Sequence, residues 1–197
     1  MTIDRDRFEY AGDAVRTYRR RAVDFVNSRL RVRFLSPAPM EDAMDAEERA
    51  RLIKRYRDGH RVVMDALKGI TDEELDRSAS GEWTPRQTAH HLADSEMMSA
   101  IRIRRLLAED KPVIYGYDEA TFARKLTSDR PIEPSLEAMR WARETCAQLI
   151  ERMTEEDWHI VGTHTESGTY STEDWLKIYA AHAHDHAEQI KRARGKS

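Results

Sequence analysis

The chain has 197 residues, 33 Lys and Arg against 36 Asp and Glu, a formal net charge of -3 and a hydrophobic fraction of 40%. That length suits one domain with a sizeable core and is short for two. A mean hydropathy of -0.78, with no apolar run of bilayer-spanning length, argues against a membrane protein, and the slightly acidic balance disfavours a sequence-independent hold on nucleic acid. The single cysteine, Cys146, excludes an internal disulfide and a cysteine-based structural zinc site. The start, MTIDRDRFEY, lacks the apolar stretch of a secretory signal, and a reducing cytoplasmic location is expected.

Residues 1–44 read as an N-terminal extension. Nine Arg stand against five Asp or Glu in residues 1–34, and TYRRRAVDFVNSRLRVRFL has the pattern of a basic amphipathic helix before Ser36-Pro37-Ala38-Pro39. A solvated or packed appendage is favoured over an arm for a partner or a membrane surface. The domain proper is expected over 45–197. From Asp45 onward Leu52, Tyr56, Val63, Leu67 and Ile70 fall on one helical stripe, which Gly59 and His60 interrupt. Thr71-Asp72-Glu73-Glu74 is a capping-box sequence and predicts one short helical turn. Thr84-Pro85-Arg86-Gln87 then supplies an N-cap, a proline at the first helical position and a glutamine three residues after the cap, the strongest helix start in the chain. This second long helix carries HHLADSEMMSAIRIRRLLAED and breaks near Lys111-Pro112.

The segment PVIYGYDEATFARKLTSDRPIEP, with a glycine and three prolines, predicts a long connection between distant bundle ends, holding one short helix that Asp118 and Glu119 would cap. A third long helix follows Pro134, with Leu136, Met139, Cys146, Leu149, Ile150 and Met153 as its apolar face, so Cys146 is expected in the core. A fourth starts near Ser171 or Thr172 and places Trp175, Tyr179, His182, His186 and Gln189 along one seam. A weak internal echo, ITDEEL with GEWT and MTEEDW with GTYS, each followed by a histidine-bearing helix, suggests two related hairpins. The expected fold is all-α, a four-helix bundle with one long crossover.

Two seam positions that a bundle would ordinarily fill with Leu or Ile hold His182 and His186, the i and i+4 spacing at which two imidazoles can share one ion. A buried imidazole without a partner costs about 1 to 3 kcal/mol. The pair must therefore meet hydrogen-bond partners or a metal. His184 projects elsewhere. On the second long helix the stripe Thr88, His91, Ser95, Met98 is the more plausible inner face, which selects His91 as third ligand and leaves His90 toward the flank. Hydrogen-bonded core histidines and metal ligands both stay open on this pattern alone.

The run GEWTPRQTAHHLADSE, a connection containing YDEATF and a closing YAAHAHDHAEQI resemble the DinB/YfiT-like superfamily of metalloenzymes over roughly residues 48–195, closest to its branch of bacillithiol S-transferases. The resemblance implies ligands at the histidine before Leu92 and at the two ends of HxxxH on the last helix. These are His91, His182 and His186. It also implies a divalent metal, a low-molecular-weight thiol as cosubstrate, a small-molecule substrate and a homodimer; imidazole suits zinc, nickel, iron and copper alike, and one ion per chain is expected, zinc first and nickel second. The chain departs from the family pattern at Gly116, where proline is common, and at His164-Thr165, where the family carries a His-Pro turn. His164 is thus a candidate to approach the metal from its loop or to cap backbone carbonyls, and Asp94, one turn after His91, a candidate to orient an imidazole.

Three neutral imidazoles leave an ion its full charge and an open position, which is the arrangement of a catalytic site. With a thiol there the expected reaction is S-transfer; with water, hydrolysis of an ester or amide. A metal-binding, stress-associated protein without catalysis is the third expectation.

Overall fold

The computed structural model describes residues 44–78 and 81–196. All but the last residue of the N-terminal extension expected over 1–44 lies outside the described residues.

All but one of the described helices begin where a short polar side chain can take up the amides of the first turn. In α1 (Ala46–Leu67) Asp45 accepts from the Glu48 amide at 2.7 Å. Reciprocal capping boxes start α2 (Asp72–Leu75) with Thr71 and Glu74, and α3 (Pro85–Ala108) with Thr84 and Gln87. After β1 (Val113–Ile114), Asp118 caps α4 (Glu119–Leu126). The next long helix, α5 (Glu133–Ile150), has proline in its first turn and no side-chain cap. Capping boxes return in α6 (Glu155–Trp158), with Thr154 and Asp157, and in α7 (Thr172–Ala193), with Ser171 and Asp174; the strands β2 (Val161–His164) and β3 (Gly168–Ser171) lie between. Both halves of the echo therefore run from a long helix through a one-turn capped helix to a histidine-bearing helix.

The four long helices among the described residues form the bundle. α1 lies beside α7 and α3 beside α5, and each of these pairs is parallel. Contacts advance together along the first pair, from the Met44 amide on Glu173, through Arg55 on the Ala180 carbonyl, to Arg194 on the Ala66 carbonyl. Along the second they advance from His90 and Ser135 to Arg104 and Cys146. α3 and α7 are antiparallel neighbours, with the Trp175 indole donating to the Ser99 carbonyl at 3.0 Å. Because α3 and α5 are parallel, residues 109–132 must return the chain along the length of α3, roughly 36 Å at 1.5 Å per residue. That is the predicted crossover, including its short helix.

The expectation of an all-α chain needs one addition. β1 pairs in parallel with β2, Val113 opposite Thr163, and β2 pairs antiparallel with β3 through the turn before α7. The small sheet ties the start of the crossover to the loop that leads into the last helix.

Two apolar clusters fill the bundle. One gathers Tyr56, Ile103, Leu106, Cys146, Trp158, Trp175, Leu176 and Tyr179; the other Val63, Leu67, Leu92, Leu136, Met139, Ala183 and Ile190. Between them along the helices sit buried polar residues, among them Glu96 and Arg143. Gly59 lies at this level. Its interruption of the α1 stripe has a steric cause, because a Cβ there would overlap the Arg143 guanidinium and stand 2.9 Å from the Ala183 Cβ. Gly59→Ala gains helix propensity of about 1 kcal/mol, yet the buried arginine cannot swing away. A net loss of about 1 to 3 kcal/mol is expected from overpacking, read as a lower urea midpoint, and an unchanged or raised midpoint would contradict this packing.

Candidate metal centre

The second turn of α3 and the middle of α7 bring three imidazoles to one point. His182 Nε2 lies 3.2 Å from His91 Nε2 and 3.2 Å from His186 Nε2, and one ring nitrogen from each residue falls within 4.8 Å of the others. The Trp83 indole walls the group, stacked on His186 at 6.2 Å with planes 5° apart and tilted against His91 at 4.7 Å. Trp83 directly precedes the Thr84 cap, so the device that starts α3 also sets this wall. On the other side the Tyr179 ring stands 6.1 Å from His182.

Burial makes these histidines weak bases. Desolvation first, then His186, holds His91 down to about 3. Desolvation, His186, His91 and Arg143, in that order, hold His182 down to about 2. His186 is also lowered by burial, partly offset by Gln189. All three rings are therefore neutral near neutral pH. A neutral Nε2 carries one proton or one lone pair and makes one in-plane hydrogen bond, so His182 Nε2 cannot satisfy both neighbours. One cation facing three lone pairs would satisfy all of them, and the spacing fits. Nitrogens each about 2.0–2.1 Å from a tetrahedral ion lie about 3.3 Å apart. His186 Nδ1 donates to Gln189 Oε1 at 2.7 Å, which leaves its Nε2 lone pair free for the cluster. The Nδ1 atoms of His91 and His182 are buried without a hydrogen-bond partner.

His90, His184, His164 and Asp94 stand outside this group of three. His90 is a correction to the flank assignment: it is as buried as His91, 1% against 2% exposed. α3 is covered on two sides, by α7 over His91 and by α5 over His90, whose Nδ1 meets Ser135 Oγ at 2.8 Å. His184 donates from Nε2 to the Arg55 carbonyl. His164 ends β2, and its Nδ1 accepts from the amides of Glu166 and Ser167 at 3.2 and 3.4 Å, so it closes the β2–β3 turn outside the three-imidazole group. Asp94 does not hold the His91 ring, since the His91 Nδ1 atom and the Asp94 Oδ2 atom are both buried without a hydrogen-bond partner; burial raises the Asp94 carboxyl and Arg130 opposes the shift.

Sequence reading passed over the residues that complete the surroundings. Arg102 donates to Tyr179 Oη at 2.8 Å and to the Tyr115 carbonyl at 2.9 Å. The Tyr117 and Tyr170 hydroxyls are buried, beside Ser95 and Arg102 respectively, and burial raises both phenols. Tyr117 belongs to YDEATF and Tyr179 to the α7 seam, which were the available signals. The two departures from the family pattern meet in space, since the Gly116 amide donates to Thr165 Oγ1 at 3.0 Å. A proline at 116 has no such donor and one at 165 no such acceptor, so each change accommodates the other.

An unfolded chain takes up protons on histidine below about pH 6.5, whereas His91 and His182 in the folded protein stay neutral far below that. The stability held by their burial is complete above about pH 6.5 and falls as pH drops below it. Urea unfolding of ion-free protein between about pH 8 and about pH 5 should show this decline, and it should be shallower in His91→Asn/His182→Asn. Equal pH dependence in the two proteins would contradict the burial of neutral rings.

Three comparisons bear on this arrangement. The family model of the DinB superfamily matches residues 55–190. A relative from Oceanobacillus iheyensis named "Putative metal-dependent hydrolase" is 34% identical over 139 residues, 70% of this chain and 81% of its own. One of the same name from Geobacillus thermodenitrificans is 38% identical over 121 residues, 57% of this chain and 67% of its own. Among solved structures, YfiT from Bacillus subtilis, described as a probable metal-dependent hydrolase with an unusual four-helix bundle topology, superposes with a TM-score of 0.73 at 28% identity, covering 82% of this chain and 95% of that one. By fold and by the family model's span, this chain belongs to the DinB superfamily.

Proposed function

We propose that this chain is a metal-dependent enzyme, that the Nε2 atoms of His91, His182 and His186 hold one divalent transition metal, and that the reaction is transfer of a small thiol to an electrophilic small molecule. The observation that carries the reading is the convergence of three neutral imidazole nitrogens with 3.2 Å spacings around His182. Zinc is the first candidate and nickel the second, since imidazole serves both and availability decides between them. Bound by three neutral ligands, such an ion keeps its double charge and an exchangeable position, and so favours the deprotonated form of a small thiol or of water.

The protein's own groups prepare that position. Gln189 sets the His186 tautomer, Trp83 shields the imidazoles on one side, and burial keeps the rings unprotonated. No nucleophile comes from Cys146, which is fully buried, with its thiol pushed up by desolvation. The nucleophile must arrive with the ligand. The resemblance to bacillithiol S-transferases supports a thiol in that role, and the names of the relatives support water as a second reading, a metal-dependent hydrolase.

Protein loaded with zinc or nickel, incubated with bacillithiol or other small thiols and with aryl halide or epoxide acceptors, is expected to consume both. His182→Ala, still folded, is expected to lose nearly all of that turnover. Ester or amide cleavage that needs no thiol and disappears in His182→Ala would replace transfer by hydrolysis. Metal binding with neither reaction would leave a non-catalytic metal-binding protein.

A further inference from the structure

One arginine reaches all four long helices of the described residues at the level below the histidines. Arg143, on α5, is 3% exposed. Its Nε donates to the Tyr56 carbonyl of α1 at 3.1 Å; its Nη2 donates to that same carbonyl and, at 3.3 Å, to the Tyr179 carbonyl of α7. Its Nη1 pairs with Glu96 of α3, a side chain with no exposure at all. The Tyr56 ring lies beneath the guanidinium, 4.0 Å from centroid to Cζ, and the Tyr56 hydroxyl is 3.4 Å from the second Glu96 oxygen. Gly59 gives the guanidinium its room on α1.

Stability is a poor reason for this arrangement. Removing two charges from water costs several kcal/mol per ion, and apolar replacement of a buried pair is often neutral or stabilising. What a planar guanidinium does well is fix direction, because its donors lie in a rigid fork. Here the fork joins the two helices that carry the imidazoles. Glu96 follows His91 by five residues on α3, and Tyr179 precedes His182 by three on α7. Since α3 and α7 are antiparallel, both contacts fall on the same side of the histidine cluster, within about 8 Å along each axis. A slip of either helix would separate His91 from its two counterparts, and ligand sets need placement within about 0.5 Å.

We propose that Arg143, with Glu96, is a positioning residue of the histidine site: it locks the register and spacing of α3 against α7, and thereby the affinity of the site for its ion. The clamp itself stands on the hydrogen bonds; its effect on affinity rests on the metal reading above.

The test compares wild type with Glu96→Met/Arg143→Met, which removes both charges together, and with Arg143→Lys, which keeps the charge opposite Glu96 but lacks the fork. Three quantities are read: melting temperature, zinc affinity by chelator competition, and amide hydrogen exchange of the ion-free protein. In the double variant the expected result is a melting temperature close to wild type, zinc affinity weaker by about tenfold to hundredfold, the usual cost of losing an outer support, and faster exchange in 176–187 with unchanged exchange in 161–171. Arg143→Lys should fall between the two.

A folded double variant with wild-type affinity and wild-type exchange in α7 would overturn the proposal, as would acceleration spread evenly over all helices at a lowered melting temperature. If the double variant does not fold, Arg143→Lys decides by the same readouts. If the wild type binds no ion, the metal reading fails by itself and the exchange pattern alone decides the clamp, with unaltered α7 exchange overturning it.

Discussion

Three imidazole nitrogens that face one another inside a bundle cannot all be satisfied by one another, and the rest of this fold is organised around that constraint. Each ring is neutral, so each offers one lone pair or one proton, while His182 Nε2 has two nitrogens at 3.2 Å. Leu at the same seam positions would bury apolar surface worth about 1.5 to 3 kcal/mol each. The bundle forgoes that stabilisation and keeps the convergence, which a divalent cation would resolve in one step.

Holding the cluster together requires rigid surroundings, and the sequence supplies them by local means. The Thr84–Gln87 box starts α3 two turns before His91 and seats Trp83 against the rings, while the Ser171–Asp174 box starts α7 three turns before His182. The crossover makes α3 and α5 parallel, which frees α7 to lie antiparallel to α3 with its histidines facing His91. Polar residues then form a layer between the two apolar clusters, with Glu96 and Arg143 inside it. Such a layer is costly to bury and makes sense where geometry matters more than stability.

What could be read from the sequence was what local rules determine. N-caps depend on residues three apart, so Thr71, Thr84 and Ser171 announced their helices. HxxxH lies on one helix face, so the pairing of His182 with His186 followed from spacing. His90 was less legible because a single stripe cannot show that α3 is covered on two sides, by α5 and α7. The sheet was illegible: its strands have two to four residues, too short for alternation to register, and Val113 pairs with Thr163 across the fold. Nothing in the local pattern distinguishes Arg143 and Glu96 from charges of a solvated helix face, and the Gly59 break in the α1 stripe gains its reason only from the guanidinium packed against it. Asp94 was a candidate by its place one turn after His91 and His164 by its departure from the family's turn, but the His91 Nδ1 atom meets no partner and His164 is held by the amides of its own turn.

The most direct test of the central claim is elemental analysis of untagged protein, as purified and after reconstitution with zinc or nickel, beside His91→Ala/His182→Ala/His186→Ala. About one transition metal per chain is expected in the first and none retained in the triple variant. A wild-type protein that holds no metal even after reconstitution would contradict it and make the three histidines a structural feature of the bundle.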